Sequence, residues 1–208
     1  QFERDNLHFS PIVNGFDELR NACTKYQVVV VGSDQLWLPV NIYGDFYTLR
    51  FIDDTRVKIS YATSFGVSEL PEYMIKTAAA YLSSFSDLSV REYSGQAIIK
   101  GLIGREAQMV CDPTLLLDRA DWDTYIQDRS EIRKPYIFCY FLGNSKRSRE
   151  FALKLARRTG LKIVCFRHME NYLPSDDVFG DDAPYDADPL DFIRYIKSAD
   201  YICTDSFH

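Results

Sequence analysis

Long apolar runs are missing from this chain. The longest, "QVVVVG" at 27–32 and "PYIFCYFLG" at 135–143, fall well short of the ~20 residues that cross a bilayer as a helix, and the charged opening residues have no signal-peptide pattern. This argues against a membrane-spanning helix, and the odd-numbered, widely spaced cysteines point to a cytoplasmic protein. A basic excess is missing too: Lys and Arg number 24 against 30 Asp and Glu, for a net charge of -6. Nucleic-acid affinity rests on cations that neutralise phosphates, so broad polyanion binding is disfavoured while one local anion site stays open. Paired cysteine spacing is also absent. Cys23, Cys111, Cys139, Cys165 and Cys203 stand far apart with no CxxC and no His/Cys ligand spacing, so neither a metal centre nor a disulfide framework is expected. Four of them fall in or at the end of predicted strands, where they read as reduced core thiols.

What is present suffices for real cores, with 46% hydrophobic residues. Short apolar runs alternate with helix-like segments, the pattern of an α/β fold in which helices join parallel strands. Strands are predicted at 27–32, 57–62, 88–91, 107–112, 136–142, 162–166 and 201–204. Helices are predicted at 16–24, 71–84, 145–159 and 190–198, the third stopped by Gly160 and the fourth opened by Asp188 as cap and Pro189 at the first position. The charged stretch "LDRADWDTYIQDRSEIRK" at 117–134 marks a boundary between domains 1–130 and 131–208. The acidic, Pro- and Gly-containing segment 169–188 is expected as a surface loop, mobile unless a partner or further chain covers it. Both domains are expected to be incomplete, since 1–15 holds no strand and three strands alone leave apolar sheet surface uncovered.

In open α/β sheets, ligands bind outside the carboxyl ends of the strands. Five polar clusters fall there. Gly32, Ser33, Asp34, Gln35 and Trp37 follow the four valines; Gly32 permits a tight exit, and Trp37 forms either a ligand-facing wall or part of the core. Ser64 and Gly66, in "YATSFG", can wrap a phosphate or carboxylate with backbone N–H groups or merely join strand to helix. Arg91 can grip an anion bidentately or pair with Glu92 at a surface corner. Asp112 is held extended by Pro113 and either faces the site or caps the next turn. Asp205, Ser206 and His208 follow the last strand, and His208 is the one histidine so placed.

In order, "VVVGSDQLW", "ISYATSFG", "LSVREYSG", "VCDPTLLL" followed by Trp122, "KPYIFCYFLG" and "DPLDFIRYIKSADYICTDSFH" resemble the polysaccharide pyruvyl transferase family, over about 28–208. The resemblance implies two Rossmann-like domains of the GT-B kind facing across a cleft. It implies transfer of the pyruvyl group of phosphoenolpyruvate to a sugar, as a ketal, with no cofactor and no metal. The partners implied are phosphoenolpyruvate and a saccharide acceptor, with a homo-oligomer left open. Departures from the family pattern at both ends, before residue 1 and after "TDSFH", lead us to expect a fragment whose last residues fray or are held by a neighbouring chain. His208, Asp34 and Asp205 are then the expected catalytic residues. Arg91, Gly32, Ser33, Gln35, Trp37, Ser64, Gly66, Asp112 and Ser206 are the expected substrate contacts. Two other readings stand beside this one: a GT-B glycosyltransferase using a nucleotide sugar, and a non-catalytic saccharide-binding relative.

Overall fold

The computed structural model of the chain describes residues 2–42, 45–53, 55–126, 132, 135–167 and 173–207. A short helix α1 (Phe2–Asn6) precedes α2 (Gly15–Cys23), the strand β1 (Val28–Val31) and α3 (Pro39–Ile42). Strand β2 (Val57–Ser60), α4 (Glu72–Ser83), β3 (Ser89–Val90), α5 (Tyr93–Ile103) and β4 (Gln108–Met109) follow. Beyond them come α6 (Arg119–Ile126), β5 (Tyr136–Tyr140), α7 (Lys146–Thr159), β6 (Lys162–Phe166), α8 (Pro189–Ser198) and β7 (Tyr201–Thr204). Among the described residues no helix is long and apolar enough to cross a membrane.

Two compact units result: Phe9–Leu117, and the chain from Asp118 joined by the amino-terminal segment through His8. The compact units divide after Leu117, and α6 packs on α8, where Lys197 Nζ meets Asp123 at 2.7 Å; the boundary expected at 130/131 lies outside the described residues. Composition alone hid α6, since its charged residues outweigh the apolar contacts that hold it.

In the first unit all strand pairs are parallel. β1 lies against β2, with Val28 opposite Val57 and Val31 opposite Ser60, and β3 lies against β4. Bridges from Ile59 to Asp87 and from Thr63 to Val90 join the two pairs. Two buried hydroxyls stitch that joint: Ser60 Oγ donates to the Ser89 carbonyl at 3.1 Å, and Ser89 Oγ donates to the Ser60 carbonyl at 2.8 Å. The period-two alternation puts Val29 and Val31 toward the core, while Val28 and Val30 stay exposed on the opposite face.

The second unit has the sheet order β6-β5-β7, all parallel. Ile137, Cys139 and Phe141 point to one face, where Ala152 and Leu155 of α7 cover them. Tyr136 and Phe138 point to the other, against Phe192, Tyr195 and Ile196 of α8. Local signals set the helix ends as the sequence indicates. Ser145 caps α7 by accepting from the Ser148 N–H, Gly160 ends it at φ +72°, and Asp188 opens α8 in a capping box with Asp191.

The described part of the acidic segment is bonded to β6. Asp181 accepts from the Ile163 N–H through its carboxylate at 2.8 Å, and the Asp182 carbonyl accepts from the Cys165 N–H at 2.8 Å. It therefore lines the open edge of β6, answering donors that an edge strand leaves unpaired.

All five cysteines are free thiols, and three of them, Cys139, Cys165 and Cys203, align across the second sheet and are buried. Burial pushes the Cys165 thiol up to about 11 and raises those of Cys139 and Cys203 as well. The thiolate is the reacting species, so at pH 8 a disulfide reagent such as DTNB should label exposed Cys111 quickly. Cys139 and Cys165 should stay unlabelled until urea unfolds the chain, with peptide mass mapping to assign the sites.

Candidate functional site

In the first unit, the carboxyl ends of the strands deliver a charged cluster centred on Arg91. Asp112 is its buried base, with a side chain 1% exposed. Its Oδ1 accepts from the Thr114 N–H at 3.1 Å and from Thr114 Oγ1 at 2.9 Å. Its Oδ2 accepts from Ser33 Oγ at 2.5 Å and from Arg91 NH1 at 3.1 Å. A second arm of the guanidinium, NH2, donates to Asp34 Oδ1 at 2.8 Å, and Glu92 Oε2 lies 3.8 Å from Nε. Asp34 differs from Asp112 in exposure, its side chain being 61% open to solvent. Three carboxylates thus surround one guanidinium, which is oriented from below by a buried partner and met from above by an exposed one.

Gly32 makes this convergence possible. Its φ is +145°, the Gly32–Ser33 peptide is cis, and a Cβ on residue 32 would overlap the Tyr61 carbonyl oxygen. Only glycine lets the chain leave β1 so close over the end of β2. Beyond it, Asp34 sits at φ +75°, its carbonyl accepting from the Ser64 N–H at 2.8 Å. Gly66, at φ +65°, lies beside the exposed Gln35 side chain.

The second unit offers a different geometry. The chain runs from β5 to β6 on one side of the sheet and then to β7 on the other. That reversal makes the carboxyl ends of β5 and β7 a topological switch point, where the connecting loops diverge. Asp205 spans it, accepting from the Leu142 N–H at 2.7 Å and from the Gly143 N–H at 3.2 Å. Arg149 NH1 donates to the Gly143 carbonyl at 2.9 Å, so the glycine is held from both sides. Arg149 also makes a two-pronged pair with Asp176, at 2.7 Å through Nε and 3.0 Å through NH2. Its guanidinium carbon lies 5.3 Å from the Phe141 ring centroid.

Several expected contacts take other roles. Trp37 is fully buried, packed on Phe65, Tyr81 and Phe85, with Nε1 donating to the Tyr47 carbonyl at 3.0 Å; it is a core residue, not a stacking platform. Ser64 is also buried and accepts from the Gly66 N–H at 3.0 Å, so it shapes its loop from inside. Asp112 caps its turn and binds Arg91 and Ser33 through its carboxylate. Asp205 is latched to the β5 loop, and the Ser206 N–H donates to Thr204 Oγ1 at 3.0 Å. His208 lies outside the described residues.

The sequence reading passed over Arg149 and Asp176. One signal for Arg149 was available: it shares the helix face of Ala152 and Ala156, and a cation on an apolar face calls for a buried partner. Nothing in the sequence pairs it with Asp176. Among the described residues, no group of three or more His, Cys, Asp or Glu side chains is arranged to hold a metal ion. Compared with known proteins, residues 2–208 match the family model described as polysaccharide pyruvyl transferase. No curated protein and no solved structure matches the chain.

Proposed function

The chain belongs to the polysaccharide pyruvyl transferase family, and from that premise we propose that it transfers the pyruvyl group of phosphoenolpyruvate to two hydroxyls of one saccharide unit, forming a ketal. The donor carries a phosphate and a carboxylate, so its site needs a positioned cation. What supports Arg91 in that role is its setting: Asp112 fixes the guanidinium from beneath, while exposed Asp34 is a partner that a donor anion can displace. Gly32, Ser33, Gln35 and Gly66 of the first unit, and Ser206 of the second, are the other proposed substrate contacts.

In the proposed reaction an acid protonates the methylene carbon of the enol, and a sugar hydroxyl adds to the neighbouring carbon as a base takes its proton. A second hydroxyl then displaces the phosphate, which leaves with the remaining proton. Imidazole titrates in the useful range, which makes His208 the proposed acid or phosphate contact; Asp34 is the proposed base, and Asp205 a positioning group. The two units serve as Rossmann-like halves of a GT-B-like enzyme that needs no cofactor. The setting we propose is cytoplasmic synthesis of a surface or exported polysaccharide, which gains one carboxylate per ketal.

Incubation with phosphoenolpyruvate and diol-bearing saccharides tests this directly. Inorganic phosphate should appear in step with a new ketal methyl singlet in the proton NMR spectrum. Consumption of a nucleotide sugar with phosphoenolpyruvate untouched would instead favour a glycosyltransferase.

A further inference from the structure

Close to the carboxyl end of β6 an exposed aromatic ring is held beside a cation, in a segment that none of the roles above uses. We infer that Tyr185, Arg167 and Asp177 form a subsite for a hexose unit of the acceptor, an inference that rests on the acceptor being a saccharide. Arg167 follows β6 directly. Its guanidinium carbon lies 5.3 Å from the Tyr185 ring centroid, and NH1 donates to the Tyr185 hydroxyl. NH1 also reaches Asp177 Oδ1 at 3.4 Å, NH2 reaches the Asp177 carbonyl at 3.3 Å, and Nε has no hydrogen-bond partner.

Tyr185 is 67% exposed although its hydroxyl is anchored. A hexose has an apolar C–H face ringed by hydroxyls that donate and accept, so an open ring flanked by a guanidinium and a half-exposed carboxylate matches it in both respects. The surroundings favour a neutral ligand over the donor. Asp176, Asp177, Asp181, Asp182 and Asp186 lie in the same segment, and their charge repels a phosphate or a second carboxylate.

The platform is also fixed in place. Asp176 is clamped by Arg149, and Asp181 and Asp182 are bonded to β6, so little ordering remains to oppose binding. Phe166 and Thr204 both lie opposite Tyr140 in the sheet. With strands ~4.8 Å apart, the backbones of Arg167 and Asp205 are therefore separated by about 10 Å.

Saturation-transfer NMR with methyl β-D-glucoside, galactoside and mannoside tests the subsite on wild type, Tyr185→Ala and Tyr185→Phe, with circular dichroism to verify folding. At least one glycoside should receive transfer at its ring C–H protons on wild type. Its affinity should fall about ten-fold in Tyr185→Ala and return to within about two-fold of wild type in Tyr185→Phe. Unchanged affinity in Tyr185→Ala, no transfer from wild type to any of the three, or displacement of the glycoside by phosphoenolpyruvate overturns the assignment. These are binding readouts, so failure here is distinct from absence of phosphoenolpyruvate-dependent phosphate release, which would count against the proposed reaction.

Discussion

Arg149→Ala should destabilise the unit that follows Asp118 by about 3–5 kcal/mol, the range for removing one partner of a buried ion pair. The pair is well shielded, with side chains 9% and 11% exposed. The hydrogen bond to Asp176, ahead of the opposing effect of burial, holds the guanidinium pKa above its usual value. Alanine leaves Asp176 buried without a counter-charge, frees the Gly143 carbonyl, and removes the cation packed on Phe141 and Phe179. The urea midpoint of this unit, followed by hydrogen exchange at β5 amides, should drop by more than about 1 M. Arg149→Met combined with Asp176→Leu should recover much of the loss, because two apolar side chains leave no charge stranded. An unchanged midpoint in the single variant would show that the clamp does not hold the unit together.

Arg91→Lys should lower kcat/KM for phosphoenolpyruvate-dependent phosphate release by about 100-fold or more. Lysine keeps the charge but loses the fork, and a single ammonium cannot serve Asp112, Asp34 and a donor anion in the same geometry. Each charge-assisted hydrogen bond lost is worth about 1.5–3 kcal/mol, and about 1.4 kcal/mol is a factor of ten in rate. The retained charge still answers buried Asp112, so the thermal midpoint should move by only a few degrees, about the change that 1 kcal/mol produces. Steady-state phosphate release and thermal unfolding of the same preparation separate the two effects. Wild-type kcat/KM in Arg91→Lys would take the guanidinium out of the donor site.

The strands and helix ends were legible in the sequence because their causes are local. Four consecutive valines, alternation through "YIFCY", a serine before α7 and a glycine after it act within a few residues of where they stand. The polar clusters could be located for the same reason: a small or hydroxylated residue just past a strand marks its carboxyl end. Their roles were not legible. Whether Trp37 faced a ligand or the core depended on Phe65, Tyr81 and Phe85 closing over it. Nor does composition show that Asp176 has a buried arginine to meet, or that Asp181 and Asp182 find an open strand edge.

By itself, then, the sequence determined an α/β chain of parallel strands with polar clusters at their carboxyl ends, and carried enough ordered motif to indicate its family. Only the tertiary structure decided which carboxylate is buried and which is open, that Arg91 stands between Asp34 and Asp112, and that Asp205 latches the β5 loop. The physical reason is range. Helix caps and strand periodicity arise from neighbours along the chain, whereas burial and ion pairing arise between groups as far apart in sequence as Ser33 and Asp112, brought together only when the sheet forms.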